Sequence, residues 1–198
     1  MKSQDKHSKI IRAATKVFAK KGFYNARIAD IAKEAKVADG TIYLYFTNKF
    51  DILLSVFEQE IGKLIGQITH LLEKETDPRA KLEVFIAAHL DEMKKNRHLA
   101  EVMHVELRQA SKLMREYRKN TFNDYLELIA SIIRQGQEDG IFRPEIEPVI
   151  AMQMIYGALD EISRCWHVGS NDCAFTPEEV SSQLSQIILR GIMQTPAD

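Results

Sequence analysis

Apolar positions recur at helical spacing along nearly the whole chain. Ile10, Ile11, Ala14, Val17 and Phe18 follow one another at steps of 1, 3, 3 and 1, which places them on one face of a helix. Ser8 is positioned to cap that helix, and Gly22 to end it after Lys20 and Lys21. A second helix is predicted over Ile28–Ala35, with Ile28, Ile31, Ala32 and Ala35 inward. A turn at Lys36-Val37-Ala38 follows, and Asp39 can cap a third helix through Tyr45. A long helix is predicted from about Asn48 to Glu75, and another from Asp77-Pro78 to about Lys95. Further helices are expected over roughly 97–109, 111–139 and 147–168. The last begins at Thr176-Pro177-Glu178-Glu179 and ends near Gln194. No segment alternates with period two between turn signals. The predicted class is all-α, with about nine helices in two parts: a three-helix head over 1–50 and a helical bundle over 51–198.

Composition adds bounds. The chain has 198 residues, 45% of them hydrophobic, enough for a sizeable core. No apolar run approaches the roughly 18–20 residues of a membrane span, and the first residues lack the apolar centre of a signal peptide. Cys165 and Cys173 form no CxxC pair and suggest two thiols in a reducing cytoplasm rather than a disulfide framework. The net charge of −1 conceals a division. Residues 1–50 carry eleven Lys and Arg against four Asp and Glu, whereas the remainder is acidic. Such a head is drawn to a polyanion.

The segment from Ile28 to Phe46 then gains a specific meaning. It reads as helix, tight turn, helix. Val37 can plug the angle between the two, and Ile42 and Phe46, four apart, face the core. That leaves Thr41, Tyr43, Leu44 and Tyr45 on the more exposed faces. A helix fits the DNA major groove, where hydroxyls meet base edges or phosphates and apolar groups touch thymine methyls. Gly40 adds no side chain where a DNA backbone must approach. Ala38, Asp39, Gly40, Thr41, Tyr43, Leu44 and Tyr45 are therefore the candidate DNA contacts. Arg27 and Lys49 flank them as candidate phosphate partners, together with Tyr45. The alternative for Tyr43 and Tyr45 is a role as core aromatics.

These motifs carry a resemblance. Ala14, Phe18 and Lys21-Gly22-Phe23, then Ile28-Ala-Asp-Ile-Ala32, then Val37-Ala-Asp-Gly-Thr-Ile-Tyr-Leu-Tyr-Phe-Thr-Asn-Lys49 with Leu53, resemble the N-terminal domain of the TetR family of bacterial repressors. Two positions depart from that pattern. Ala26 stands where the family has Thr or Ser, so Asn25 becomes the candidate cap of the second helix. Phe50 stands where the family has Glu.

The resemblance implies that the rest of the chain binds a small-molecule effector and forms a homodimer through its last two helices. The residues placed on those faces are Ile150, Met154, Gly157, Ala158, Leu184, Ile187, Ile188 and Gly191. Their periodicity alone suits a core as well as an interface. Phe85, Met103, Leu107, Tyr125, Ile129 and Tyr156 are candidate walls of an apolar pocket. Arg108, Arg115 and Arg118 are candidate phosphate holders at its mouth, or else members of a solvated, ion-paired surface. Glu106-Leu-Arg-Gln109, Gln153-Met-Ile-Tyr-Gly157 and Asp160-Glu161 extend the resemblance to a narrower group, the FadR-type repressors of Bacillus. That resemblance implies control of fatty-acid degradation genes, with long-chain acyl-CoA as the effector that releases a palindromic operator in double-stranded DNA.

Two other readings remain. One is a repressor of a multidrug pump, with Trp166, several tyrosines and Asp160 or Glu161 meeting a cationic or aromatic compound. The other is a non-catalytic carrier of acyl ligands. No catalytic constellation, metal-ligand spacing, cofactor motif or membrane partner is read from the sequence.

Overall fold

The structure is a computed structural model, and it describes residues 2–96, 100, 121–166 and 173–194, with side chains from Asp5 onward. Eight helices lie among the described residues. They are α1 (Lys2–Lys21), α2 (Ile28–Ala35), α3 (Asp39–Ile42), α4 (Lys49–Leu72), α5 (Pro78–Lys95), α6 (Thr121–Glu138), α7 (Pro148–Cys165) and α8 (Pro177–Ile192). Apart from Ala100, which is helical and buried, the helix expected at 97–109 lies outside those residues, as does the start of the one expected at 111–139. An isolated bridge joins Phe142 and Met193. No described helix is long and apolar enough to cross a membrane.

The chain separates into two compact units, one of Met1–Gly62 with Arg97–Lys119, the other of Lys63–Asn96 with Asn120–Asp198. The division falls inside α4, because Ile52, Leu53, Val56, Phe57 and Ile61 of its first half are buried and belong with the first unit.

In the first unit α1 packs on α2, and α2 on α3. Ile10, Ile11, Ala14, Val17 and Phe18 are all buried, as the spacing predicts. Helix α1 starts earlier than Ser8, which lies within it and is no cap. Gly22 ends it at φ 72°, its N–H donating to the Phe18 carbonyl at 2.8 Å.

In the second unit α5, α6 and α7 pack together and α8 lies against α5. The starts of α5 and α8 follow their sequence signals. Asp77 accepts from the Arg79 N–H at 2.9 Å. Thr176 and Glu179 cap each other reciprocally, the Glu179 N–H to Thr176 Oγ1 at 3.2 Å and the Thr176 N–H to Glu179 Oε2 at 2.9 Å. Cys165 and Cys173 form a disulfide with Cα atoms 5.8 Å apart, correcting the expectation of two thiols. Their Cα separation lies within the range a disulfide spans, and the CxxC criterion carries no information about a pair eight residues apart.

The chain beyond α6 folds back on it. Gly140 at φ +69° makes the reversal, and the N–H groups of Ile141 and Phe142 both donate to the Gly136 carbonyl at 2.8 Å. The Phe142 ring then occupies the side-chain space of Gly136, where a Cβ would lie 2.0 Å from Cδ2 of the ring. The same loop holds the end of α8, through Arg143 N–H to the Ile192 carbonyl at 2.8 Å and Gln194 N–H to the Ile141 carbonyl at 2.9 Å. Replacing Gly136 by Ala should therefore cost about 1–3 kcal/mol, the usual penalty of overpacking. The cost should be near zero in a Phe142→Ala background, as read by urea denaturation of all four proteins. Equal costs in both backgrounds would exclude the contact as the cause.

Candidate nucleic-acid interface and effector core

The turn between α2 and α3 is made without glycine. Lys36 takes a left-handed conformation, φ 54° and ψ 47°, and its N–H donates to the Lys33 carbonyl at 3.2 Å while that of Val37 reaches the Ala32 carbonyl at 3.0 Å. This satisfies the last carbonyls of α2 and turns the chain sharply. Helix α3 then begins with Ala38 at the N-cap and no side-chain cap bond. The expected cap, Asp39, is instead its first helical residue, where its charge still suits the helix dipole. Beyond Ile42 the helix tightens into turns, with Tyr45 N–H to the Ile42 carbonyl at 3.0 Å, so the α-helical part is shorter than predicted.

Two faces of this short element differ completely. Ile42 and Phe46 are 0% and 3% exposed, whereas Tyr43 and Leu44 are 59% and 80% exposed. Ala38, Asp39 and Gly40 are also exposed, and Thr41 and Tyr45 are half-buried. A Cβ on Gly40 would meet no atom within 4 Å, so nothing in the fold requires glycine there. His7 of α1, which the sequence did not single out, stacks on Phe46 with ring centroids 4.9 Å apart and lies 6.2 Å from Tyr45. It supports the element from behind.

Arg27 is exposed at the N-cap of α2, and its backbone N–H donates to Asp30 Oδ2 at 3.0 Å. Asp30 also pairs with Lys21 at 2.7 Å, and these hydrogen bonds, that of Lys21 first, hold its carboxyl below the ordinary aspartate range. Asn25 does not cap α2. Its side chain donates back to the Lys21 carbonyl at 3.3 Å, at the end of α1. Ala26 is buried, which suits a side chain with no polar group.

Lys49 is the main correction. Its ammonium donates to the carbonyls of Phe23, Tyr24 and Ala26 at 2.6, 3.2 and 2.9 Å and lies 4.6 Å from the centre of the Phe23 ring. An ammonium has three donors, and all three are used within the protein. The lysine thus clamps the connection between α1 and α2 rather than reaching outward to a phosphate. Phe50 packs edge-on against the same Phe23 ring at 6.4 Å, so its side chain serves this clamp.

In the second unit Phe85, Tyr125 and Ile129 are fully buried and Tyr156 is half-buried. The aromatic rings form one group, with centroids 5.4 Å apart for Phe85–Tyr125 and 6.4 Å for Tyr125–Tyr156. The other candidates for this site, Met103, Leu107, Arg108, Arg115 and Arg118, lie outside the described residues. A polar chain runs through the group. Ser163 Oγ donates to the Leu159 carbonyl at 2.7 Å, and therefore accepts from Nε2–H of His89 at 3.4 Å. Nδ1 of His89 then accepts from the Tyr125 hydroxyl at 2.5 Å. Burial pushes the Tyr125 phenol well above its ordinary pKa, which keeps it a donor. The sequence did not select His89 or Ser163; the available signal was that His89 lies four residues after Phe85 on the buried face of α5. Asp160 is buried near the Tyr156 hydroxyl at 3.5 Å, while Glu161 is exposed and pairs with Arg164.

Helices α7 and α8 carry an outward apolar face. Ile150, Met154 and Ile187 are exposed, Gly157 and Gly191 with them, and Ala158 and Leu184 are half-buried. Ile188 does not belong to this face. It is 4% exposed, because one residue along a helix turns the side chain by about 100° and points it into the chain's own core. Both helices border an apolar cavity of about 340 Å³ that includes Ile162, Trp166, Phe175 and Leu184 in its walls.

The clamp makes a prediction. Lys49→Met should destabilise the protein by about 2 kcal/mol, the scale of hydrogen bonds to a charged group, as read by denaturant unfolding. It should leave the salt dependence of DNA binding unchanged. An unaltered stability with a salt slope reduced by about 1 would return Lys49 to the phosphates.

Two family models match the chain. Residues 10–56 match "Bacterial regulatory proteins, tetR family", and residues 57–191 match "YsiA-like protein, C-terminal region". The chain is 33% identical to the fatty acid metabolism regulator protein of Bacillus subtilis over 94% of its own length and 95% of that protein's. The fatty acid degradation regulator FadR of Bacillus halodurans superposes with a TM-score of 0.85 at 35% identity, covering 94% of this chain and 95% of that one. FadR of Bacillus subtilis in complex with stearoyl-CoA superposes with a TM-score of 0.86 at 32% identity, covering 93% and 98%. The helical head, the helical second unit and these matches along nearly the whole chain agree, and the protein belongs to the TetR family of bacterial transcription regulators.

Proposed function

We propose that this chain is a homodimeric repressor of fatty-acid degradation genes that binds a palindromic operator in double-stranded DNA and leaves it when long-chain acyl-CoA binds. The observation that carries the reading is the exposure of Tyr43 and Leu44 on an element whose opposite face is wholly buried. Two large side chains held in solvent by a supported scaffold suit contact with base edges and thymine methyls. Thr41 and the exposed Arg27 stand on either side of that role, with Ala38, Asp39 and Gly40 leaving room for the DNA backbone. The protein acts by binding and carries out no catalysis. Its place is the cytoplasm, where the operator lies.

The effector assignment rests on the stearoyl-CoA complex of the Bacillus subtilis relative, whose likeness extends through the second unit. Phe85, Tyr125, Ile129 and Tyr156 are the described residues proposed to bound the acyl chain, with Arg108, Arg115 and Arg118 for the phosphates. An effector releases DNA only by binding the DNA-incompetent state more tightly than the competent one. Helix α4 continues unbroken from the first unit into the second, and is the proposed carrier of that difference. The outward face of Ile150, Met154, Gly157, Ala158, Leu184, Ile187 and Gly191 is proposed to meet a second copy.

Operator fragments shifted on a gel should be released by stearoyl-CoA and not by a cationic dye; release by the dye alone would favour a drug-responsive repressor. Retention at saturating stearoyl-CoA would remove the acyl-CoA assignment. Tyr43→Ala should weaken operator binding about tenfold or more and change base preference, on the scale of one lost base contact. An acyl carrier would instead show no salt-sensitive DNA affinity.

The dimer face has its own test. Ile187 is 69% exposed, so Ile187→Glu leaves the fold of each chain intact. Light scattering should then report a monomer, and operator affinity should fall with it. A dimer of unchanged stability would place the interface elsewhere.

A further inference from the structure

Helices α7 and α8 share the outward apolar stripe, yet each takes its main support elsewhere. Helix α7 packs on α5 and α6, and α8 packs on α5. The apolar cavity of about 340 Å³ is bordered by Ile162 of α7 and by Leu184 and Ile187 of α8. Leu184 and Ile187 thus belong both to the stripe and to the cavity wall. The shape of the stripe therefore depends on how the two helices are held there.

Two links join the end of α7 to the approach to α8. Cys165 is the last residue of α7, and Cys173 stands three residues before Thr176, the N-cap of α8. The disulfide between them is the covalent link. The second is Trp166, whose Nε1–H donates to the Phe175 carbonyl at 3.1 Å while the Lys94 ammonium lies 4.9 Å from the centre of its ring. Cys165, Trp166, Cys173 and Phe175 all border the same cavity. Both cysteines are half-buried, so a small thiol can reach the bond.

The cytoplasm proposed above keeps thiols reduced, and the disulfides that form there are mostly transient, catalytic or redox-sensing. We propose that Cys165 and Cys173 form a reversible redox switch that sets the strength of the dimer. A low-molecular-weight thiol is the reductant. Its thiolate attacks one sulfur, the S–S bond breaks, and a mixed disulfide forms with one protein sulfur. A second such thiolate then displaces that sulfur. The protein gains two electrons and two protons as two thiols, and the reductant leaves as its own disulfide. The Trp166 hydrogen bond is left to hold the helix ends, so the cavity walls shift and the stripe loses its fixed shape. The switch rests on the stripe being the dimer face, as proposed above. It is independent of the acyl-CoA assignment.

The test takes the full-length protein through glutathione buffers of graded redox ratio. Trp166 is the single tryptophan of the chain, and a disulfide quenches a neighbouring indole, so its emission reports the bond. A reversible two-electron transition is expected, and it should vanish when Cys165→Ser is combined with Cys173→Ser. Sedimentation equilibrium should show a dimer at least fivefold weaker in the reduced buffer than in the oxidised one. The double variant should match the reduced protein in both buffers; if it does not fold, the two states of the unaltered protein decide alone. Circular dichroism should show equal helix content in those two states, and unfolding on reduction would make the bond structural and overturn the switch. Failure of the bond to form in oxidised glutathione would also overturn it. Equal dimers in both states, still separated by Ile187→Glu, would overturn the switch alone. A chain monomeric in both states would overturn it together with the dimer reading.

Discussion

Burial of Ile42 and Phe46 is the contact on which the head depends. A helix of four residues has too few hydrogen bonds to persist alone, since nucleation is unfavourable and propagation has hardly begun. Helix α3 is such a segment. Its conformation is imposed from behind by the two apolar side chains, by His7 stacked on Phe46, and from the front edge by the turn at Lys36. The left-handed lysine in that turn is mildly strained, and roughly 1–2 kcal/mol is the usual scale for a residue with a Cβ there. The same constraint determines what is presented outward. With Ile42 and Phe46 inward, the hundred-degree rotation per residue leaves Tyr43 and Leu44 nowhere to go but solvent.

Lys49 shows how a residue can look like a surface charge and serve the interior. The lysine lies three positions past Phe46, where the helix-turn-helix ends, and at the start of α4, which is the usual setting for a phosphate partner. Three carbonyls of the α1–α2 connection take its donors instead. The Phe23 ring beneath it lowers the cost of partial burial through its negative face. A consequence follows for Ala26. A Thr or Ser side chain there could cap α2, but Arg27 holds the cap position and the Asp30 carboxylate satisfies its N–H. The Ala26 carbonyl goes to the lysine, so the connection is held by an ammonium where a hydroxyl is absent.

Much of this was legible in the sequence, and the reasons differ by element. The buried stripe of α1, the Asp77 and Thr176 starts and the inward pair Ile42 and Phe46 follow from periodicity and capping, which are local. What escaped depends on partners distant in sequence. Lys49 meets Phe23, Tyr24 and Ala26 across a loop and a helix. His89 meets Tyr125 and Ser163 from two other helices. A histidine on an apolar face is ambiguous until those helices are placed, and no spacing within α5 reveals its partners. Ile188 failed for a finer reason. The apolar band on α8 is wide enough to reach both the interior and the outside, and the pattern alone does not say where one ends. Cys165 and Cys173 were read by motif spacing, whereas their meeting depends on where α7 stops.

The charge division between the two parts of the chain keeps its meaning even though Lys49 and Lys21 are engaged internally. Ion pairs such as Lys16–Glu34 at 3.5 Å and Lys21–Asp30 at 2.7 Å remove no net charge, since their acids are already counted in the excess of the head. At long range the field depends on that excess and not on which side chains touch. It extends about 10 Å at 0.1 M salt, far enough to orient the head toward a polyanion before contact. Selection among sequences then falls to the few residues that the fold leaves outward. Encounter and recognition thus rest on different properties of the same fifty residues. The first is a sum over the head, and the second is the direction of Tyr43 and Leu44.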